Sequence, residues 1–200
     1  SVLIRVNCVP AANAGPDQFI NQPGILVTLD GSASSDPNLD PLTYAWTQTG
    51  GAAVVLSDPT AVGPTFTPAA PGVYTFQLIV NDGLANSAAD TVVITVNTVP
   101  VANAGPDQFI NQPGLLVTLD GSGSSDGDLD PLTYAWTQTG GAAVVLSDPT
   151  AVGPTFTPAL PGVYTFQLIV NDTNINSPAD AVVITVNTVP VADAGPDQFI

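Results

Sequence analysis

Residues 73–80 read VYTFQLIV, and large apolar or aromatic side chains occupy every second position of this stretch. One face of the extended chain carries four of them, Tyr74, Phe76, Leu78 and Val80. Because side chains of a β-strand point to alternate faces, the pattern predicts a strand with one buried face. Residues 92–97, VVITVN, alternate in the same way and are rich in β-branched side chains. No helical stripe is present, and 20 prolines and 18 glycines argue against long helices, so an all-β protein is predicted.

Seven short strands are predicted in each 90-residue stretch, separated by segments rich in Gly, Pro, Asn and Asp. Their predicted bounds in the first stretch are 17–21, 25–30, 43–48, 54–57, 65–68, 73–81 and 91–97. This number of strands is typical of an immunoglobulin-like β-sandwich. Trp46 then lies between the sheets, and Tyr74 occupies the position of a tyrosine corner.

The chain is built from an internal repeat with a period of 90 residues. Residues 11–100 and 101–190 align without a gap and differ at 11 positions, and neither contains Cys. Residues 1–10 match the last strand of a repeat, and residues 191–200 match its first strand. The predicted organisation is therefore two whole sandwiches flanked by single strands of neighbouring repeats. The junction, VNTVPVANAG, lacks a Gly/Ser linker, which predicts an extended rod.

The charge composition excludes several classes of function. All 17 acidic residues are Asp, the single basic residue is Arg5, and the chain has no His. A net charge of −16 excludes the basic surface that nucleic acids and anionic membranes need, and no apolar run is long enough to insert into a membrane. Without His or Lys, most nucleophile–base pairs cannot be assembled, and no carboxylate pair is predicted across a cleft. We therefore predict a non-enzymatic protein.

One loop of each repeat carries oxygen-bearing side chains at alternate positions. In the first repeat they are Asp36, Asn38 and Asp40. In the second repeat they are Asp126, Asp128 and Asp130. Calcium takes about six to eight oxygen ligands, and alternate ligands along a turn can wrap such a hard cation. The alternative is that these Asp side chains only cap turns by accepting hydrogen bonds from backbone N–H groups.

The segments DGSASSDPNLDPLTYAW at 30–46 and GVYTFQLIVNDG at 72–83 resemble the PKD domain family. The resemblance covers both repeats and the partial repeats at the two ends. It implies an immunoglobulin-like sandwich in a prokaryotic extracellular or cell-surface protein. After Trp46 the chain reads TQTGG, which departs from the turn that many members have there.

The resemblance also implies further calcium ligands, because some PKD domains bind calcium between this loop, the end of the penultimate strand and the entry from the preceding domain. By position, the matching residues of the first repeat are Asn7, Asp36, Asn38 and Asp82. Those of the second repeat are Asn97, Asp126, Asp128 and Asp172. Leu39 and Leu129 stand where the family commonly has glycine, so the turn is expected to differ.

Three further features have both a functional and a structural interpretation. Asn171 begins an Asn-Asp-Thr glycosylation sequon, a tripeptide that also arises by chance. Cys8, the only cysteine, either links two molecules or is a small residue at a strand end. Trp46 and Trp136 either stack on sugars or pack in the core, and their alternation with neighbouring apolar side chains favours the core.

The predicted function is a structural array in an extracellular prokaryotic protein, as a surface stalk or fibre stabilised by calcium. The alternative is a carbohydrate- or matrix-binding accessory module of a secreted hydrolase or adhesin. The predicted partners are other copies of the repeat, through lateral or end-to-end contacts, and polysaccharide or cell-surface matrix. In the end-to-end contact, residues 1–9 or 191–200 complete a sandwich of another molecule by strand addition. The alternative is a continuous array in which covalently linked neighbouring repeats supply the missing strands.

Overall fold

A computed structural model describes residues 6–193 and 195 of the chain. The chain divides into two compact units, Ser1–Thr98 and Val99–Ile200, and each is described by itself. The terminal strands predicted within 1–10 and 191–200 fall largely outside the described residues. Their completion by other molecules therefore stays a prediction.

The first unit is a sandwich of one four-stranded and one two-stranded sheet. Its strands are β1 (Gln18–Ile20), β2 (Val27–Thr28), β3 (Thr43–Gly50), β4 (Thr65–Phe66), β5 (Gly72–Asn81) and β6 (Asp90–Val96). The four-stranded sheet has the order β1-β6-β5-β3, and β2 pairs with β4. The two long pairings, β3 with β5 and β5 with β6, are antiparallel, whereas β1 lies parallel to β6.

The second unit repeats this architecture. Its strands are β7 (Gln108–Ile110), β8 (Val117–Thr118), β9 (Thr133–Gly140), β10 (Thr155–Phe156), β11 (Gly162–Asn171) and β12 (Asp180–Val186). The larger sheet has the order β7-β12-β11-β9, and β8 pairs with β10. The part of the chain that the structure describes contains no helix, which confirms the all-β prediction.

The alternation in β5 places its apolar side chains in the core. Tyr74, Phe76, Leu78 and Val80 are at most 1% exposed. Phe66 of the small sheet packs on this row, with ring centroids 4.8 Å from Phe76. Trp46 is buried as predicted, and its indole N–H donates to the carbonyl of Ala61 at 3.1 Å. A buried indole needs such a partner, so the tryptophan joins the core to the neighbouring loop.

The predicted tyrosine corner is present in both units. The hydroxyl of Tyr74 donates to the carbonyl of Ala70 at 2.7 Å. In the second unit, the hydroxyl of Tyr164 donates to the carbonyl of Leu160 at the same distance. Each bond ties the loop before the longest strand to the core.

One of the seven predicted strands is absent and three are shorter than predicted: 17–21 is Gln18–Ile20, 25–30 is Val27–Thr28 and 65–68 is Thr65–Phe66. The segment 54–57 is not a strand, because the side chain of Gln48 accepts the Val54 N–H and only Ser57 bonds to β4. The segment 25–30 shortens to β2. The Leu29 N–H donates to the carbonyl of Pro64, but proline has no N–H, so Pro64 cannot donate a hydrogen bond back and the pairing ends there. Each described unit therefore has six strands.

Candidate metal site

The aspartate-rich loop lies between β2 and β3 in the first unit and folds around its first carboxylate. Asp36 Oδ1 accepts the N–H groups of Asn38 at 2.8 Å and Asp40 at 3.1 Å. The Leu39 N–H closes the turn by donating to the Asp36 carbonyl at 3.0 Å. The turn-capping interpretation is thus correct for one oxygen of Asp36, and it accounts for only that oxygen.

The second unit builds the same loop with a third carboxylate. Asp126 Oδ1 accepts the N–H groups of Asp128 at 2.8 Å and Asp130 at 3.3 Å. One carboxylate oxygen from each of Asp126, Asp128 and Asp130 lies within 4.8 Å of the other two. Among the described residues this is the one cluster of three or more such ligands. Alternate positions along this turn therefore converge, and their binding of calcium stays a prediction.

The other carboxylate oxygen of the leading aspartate is left without a protein partner. Asp36 Oδ2 and Asp126 Oδ2 are buried, and neither has a hydrogen-bond donor among the described residues. The two side chains are only 6% and 8% exposed. Burying an unpartnered charged oxygen is costly, and the same atom lacks a protein donor in both units.

A leucine in the left-handed region gives the loop its shape. Leu39 has a φ of 62° and Leu129 a φ of 66°, although a Cβ disfavours this conformation. Both side chains are almost fully exposed, at 90% and 89%. The backbone therefore adopts the conformation that glycine would take, and the leucine gains no packing in return. This turn brings the N–H of the next residue back to the leading carboxylate.

The structure brings Asn7 and Asp82 together in the first unit, as the resemblance implied. The Asn7 amide donates to Asp82 Oδ2 at 2.8 Å, and Asp82 Oδ1 accepts the N–H groups of Leu84 and Ala85, both at 2.7 Å. These donors, with the Ala85 N–H first and the Asn7 amide second, hold the pKa of Asp82 below its ordinary value. The adjacent Cys8 N–H donates to Asn38 Oδ1 at 2.6 Å. The chain entering this unit is therefore attached to both candidate ligand segments.

The corresponding residues of the second ligand set lie in two different units. Asp172 is fully buried, and its Oδ1 accepts the N–H groups of Asn174 at 2.8 Å and Ile175 at 2.7 Å. It is not a member of the three-carboxylate cluster. Asn97 follows β6, is 2% exposed, and donates its amide to the Thr98 carbonyl at 2.9 Å.

The remaining sequence candidates are Asn171, Cys8 and the two tryptophans. The Asn171 amide donates to Asn176 Oδ1 at 2.7 Å, and Asn171 Oδ1 accepts the Thr173 N–H, so its glycosylation stays a prediction. Cys8 is an exposed free thiol. Trp46 and Trp136 are each 4% exposed, which contradicts a role as sugar-stacking platforms.

Sequence analysis missed a second role for aspartate, which is to join distant backbone segments. Asp90 Oδ2 accepts the Ala14 N–H at 2.7 Å, and Asp17 Oδ1 accepts the Val93 N–H at 2.8 Å. Both contacts span 76 residues. Asp107 makes the same bond as Asp17 in the second unit, to the Val183 N–H. The only sequence signal was that these aspartates recur in both repeats, and most aligned positions do the same.

No pocket is found in the described part of the chain. The same residues form no helix that is long and apolar enough to cross a membrane.

A family model described as K319L-like, PKD domain matches residues 14–96 and 104–186, one copy in each unit. The mouse protein named Dyslexia-associated protein KIAA0319 homolog is 35% identical over 208 residues, covering 98% of this chain and 19% of its own length. The mouse KIAA0319-like protein is 36% identical over 199 residues, which cover 94% of this chain and 19% of its own length. The chain thus spans about a fifth of these curated relatives.

Among solved structures, human protocadherin-24 EC1-2 aligns with a TM-score of 0.54 at 13% identity. The alignment covers 92% of this chain and all of that one, and it is a likeness of fold alone. The curated relatives come from mouse, rat and human, so they give no support to the prokaryotic origin that sequence analysis expected.

Proposed function

Because the chain belongs to the K319L-like PKD domain family, we propose that its two units are structural, non-enzymatic modules of an extracellular or cell-surface protein. In this proposal the modules serve adhesion or form part of a stalk or fibre. Calcium bound at the aspartate-rich loops stabilises them. The observation that carries the proposal is the buried, unpartnered carboxylate oxygen found at the same place in both units.

A non-enzymatic role is supported by where the carboxylates lie. The three clustered side chains come from one five-residue turn, whereas acid–base catalysis needs carboxylates on opposite sides of a substrate. Asp126 also accepts two backbone N–H groups of its own loop, which suits a structural ligand. The alternative of a carbohydrate-binding module relied on exposed aromatic platforms, and the burial of Trp46 and Trp136 removes that support.

The dimensions of the second loop fit calcium. Two oxygens on opposite sides of an ion with bonds of about 2.3–2.6 Å lie about 4.6–5.2 Å apart, and adjacent ones lie closer. The three oxygens of Asp126, Asp128 and Asp130 fall within 4.8 Å of one another, so all three can share one ion. Oxygen-only ligands favour calcium over zinc or copper, which prefer nitrogen and sulfur. Backbone carbonyls and water would supply the remaining ligands.

The first unit offers a weaker version of the site. Asn38 replaces the carboxylate of Asp128, which removes one negative charge. Its Oδ1 also accepts the Cys8 N–H. Because calcium affinity rises with the number of charged ligands, we propose that the second unit binds calcium more tightly.

The test is the thermal unfolding of the whole chain in EDTA and in excess calcium. An ion that binds only the folded state adds about 2.7 kcal/mol at a concentration of about 100 Kd. A domain of this size then melts about 10 °C or more higher. Asp126→Asn and Asp128→Asn should abolish the calcium-dependent rise in that unit.

Asp148→Asn is the matched control, because it removes one carboxylate from a different loop, where Asp148 Oδ1 accepts the N–H and the hydroxyl of Thr150. It should leave the rise caused by calcium unchanged. Equal melting temperatures of the wild-type chain in EDTA and in calcium would overturn the calcium proposal. The proposal would also be overturned if Asp148→Asn abolished the calcium-dependent rise in melting temperature as fully as Asp126→Asn and Asp128→Asn do.

A further inference from the structure

We propose that the Asp126–Gly127 pair is a modification site, at which Asp126 converts spontaneously to isoaspartate through a succinimide. The inference goes beyond the calcium site, because the reaction needs no bound ion. The Gly127 nitrogen attacks Asp126 Cγ, and the new N–Cγ bond replaces the bond from Cγ to Oδ2. Oδ2 leaves as water with the proton of the nitrogen and one proton from the solvent. A second water molecule then opens the ring at the main-chain carbonyl of Asp126, so that the backbone afterwards runs through Cγ.

The chain contains four Asp–Gly pairs, and in each of them the aspartate folds over the peptide that follows it. The pairs begin at Asp30, Asp82, Asp120 and Asp126. In every case Oδ1 of the aspartate accepts the N–H of the second residue after it, at 2.7–2.9 Å. This turn holds the carboxyl group against the peptide whose nitrogen is the nucleophile. The carboxyl carbon is therefore placed alike at all four sites, and the glycine nitrogen distinguishes them.

Three of the four glycine N–H groups are already hydrogen-bonded. Gly31 and Gly121 are buried, and each donates to a main-chain carbonyl at 2.9 Å. Gly83 is exposed and donates to Asn81 Oδ1 at 2.6 Å. A nitrogen whose N–H is bonded in this way cannot lose its proton and attack until the segment opens. The fold therefore protects these three pairs.

Gly127 lacks this protection. It is exposed, and its N–H has no hydrogen-bond partner among the described residues. Asp126 beside it is only 8% exposed, and its Oδ1 accepts the N–H groups of Asp128 and Asp130. The second unit thus combines a carboxyl group that is held in place with a neighbouring nitrogen that nothing restrains. None of the other three pairs has both features.

The first unit contains a natural control for this chemistry. Asp36 is held by the same bonds, since its Oδ1 accepts the N–H groups of Asn38 and Asp40. The residue after it is Pro37, whose nitrogen carries no proton and cannot form a succinimide. Two loops of the same shape therefore differ in whether the reaction is open to them.

The product cannot keep the turn from which it forms. Isoaspartate lengthens the main chain by one carbon and leaves its carboxylate directly on Cα. The bonds that Asp126 Oδ1 accepts from Asp128 and Asp130 are then lost, together with the position of the leading carboxylate. The aspartate-rich loop of the second unit consequently has a limited lifetime, which the loop of the first unit does not share.

The test is incubation of the folded whole chain in EDTA at neutral pH and physiological temperature, followed by digestion with chymotrypsin. Cleavage after leucine releases the peptides 30–39 and 120–129. Electron-transfer fragmentation then distinguishes isoaspartate from aspartate at each position. Isoaspartate should accumulate about tenfold or more faster at Asp126 than at Asp120 of the same peptide, a ratio that corresponds to about 1.4 kcal/mol of local opening free energy.

Two substitutions exchange the residue that follows the leading aspartate. Gly127→Pro should abolish isoaspartate at Asp126, and the first unit already accommodates proline at this place. Pro37→Gly should create isoaspartate at Asp36, which is unreactive in the wild-type chain. Thermal melting checks that both variants fold.

Three outcomes would overturn the inference. One is a wild-type chain in which Asp126 stays unmodified. Another is accumulation at Asp120 that equals or exceeds that at Asp126, which would make the dipeptide or the exposure of the aspartate, rather than the glycine N–H, the determinant. The third is a folded Pro37→Gly chain without isoaspartate at Asp36.

A cation bound to this carboxylate should slow the reaction, because it holds the oxygen that has to leave. This consequence alone rests on the proposed function, and its test is the same incubation in excess calcium. Slower accumulation at Asp126 in calcium than in EDTA would support it. Equal rates in a chain whose melting temperature rises with calcium would contradict it. A chain whose melting temperature does not rise would overturn the calcium proposal, while the rates measured in EDTA still decide the isomerisation.

Discussion

Replacing Leu129 by glycine should stabilise the second unit. Leu129 has a φ of 66° and is 89% exposed, so the substitution relieves backbone strain and removes almost no packing. A left-handed conformation costs an L-residue about 1–2 kcal/mol, which glycine does not incur. Glycine loses about 0.5–1 kcal/mol more backbone entropy on folding. The expected net gain lies within about 0–1.5 kcal/mol, and its central value of about 0.75 kcal/mol raises the melting temperature of a domain of this size by about 3–6 °C.

The assay is thermal unfolding of the whole chain in EDTA, so that ion binding does not contribute. Leu129→Ala is the matched control, because alanine also removes the exposed side chain but keeps the Cβ that causes the strain. Alanine should change the melting temperature little. A glycine variant that is less stable than wild type, or an alanine variant stabilised to the same extent, would refute the strain argument.

Two further predictions concern the core and the response to acid. Tyr164→Phe should destabilise the second unit by about 1 kcal/mol, measured by chemical unfolding, because the Leu160 carbonyl loses the hydroxyl donor at 2.7 Å; an unchanged midpoint would contradict this. Asp82 has a folded-state pKa below the ordinary 3.8, so its contribution is fully present above that pH and is lost as the pH falls through the folded pKa. The measurement is made at about 0.5 M NaCl, which screens the general repulsion between charges. Acid should then destabilise the first unit below about pH 3.8, and Asp82→Asn should weaken that dependence. Identical acid profiles of the wild-type chain and the variant would count against this prediction.

Periodicity predicted the fold well where strands are long and pack on the core. β3, β5 and β6 were predicted to within two residues at each end, since strict alternation over six or more residues leaves one register that buries the apolar face. Periodicity failed at 54–57, where the side chain of Gln48 takes the place of a neighbouring strand. The alternation of apolar residues does not show whether a backbone N–H is bonded to a strand or to a side chain.

The candidate site was predictable in the part that is local. The i, i+2, i+4 spacing of Asp126, Asp128 and Asp130 was enough to predict that they converge, because a five-residue turn determines their separation. The unpartnered Oδ2 of Asp126 was not predictable, because it depends on which distant groups fail to reach it. The left-handed leucine was flagged in the sequence only as a departure from glycine.

The parallel pairing of β1 with β6 determines how each unit responds to tension. These are the first and last strands of the unit, they lie side by side, and they are paired at three positions from Gln18 to Ile20. A force that pulls the two ends of the unit apart slides these strands along each other, so that their hydrogen bonds are loaded together and not one after another. Two further bonds share that load: the Val93 N–H donates to Asp17 Oδ1, and the Asn97 N–H donates to the Ile20 carbonyl. The hydrogen bonds between the first and last strands of each unit therefore resist the direction in which a tethered extracellular module would be pulled.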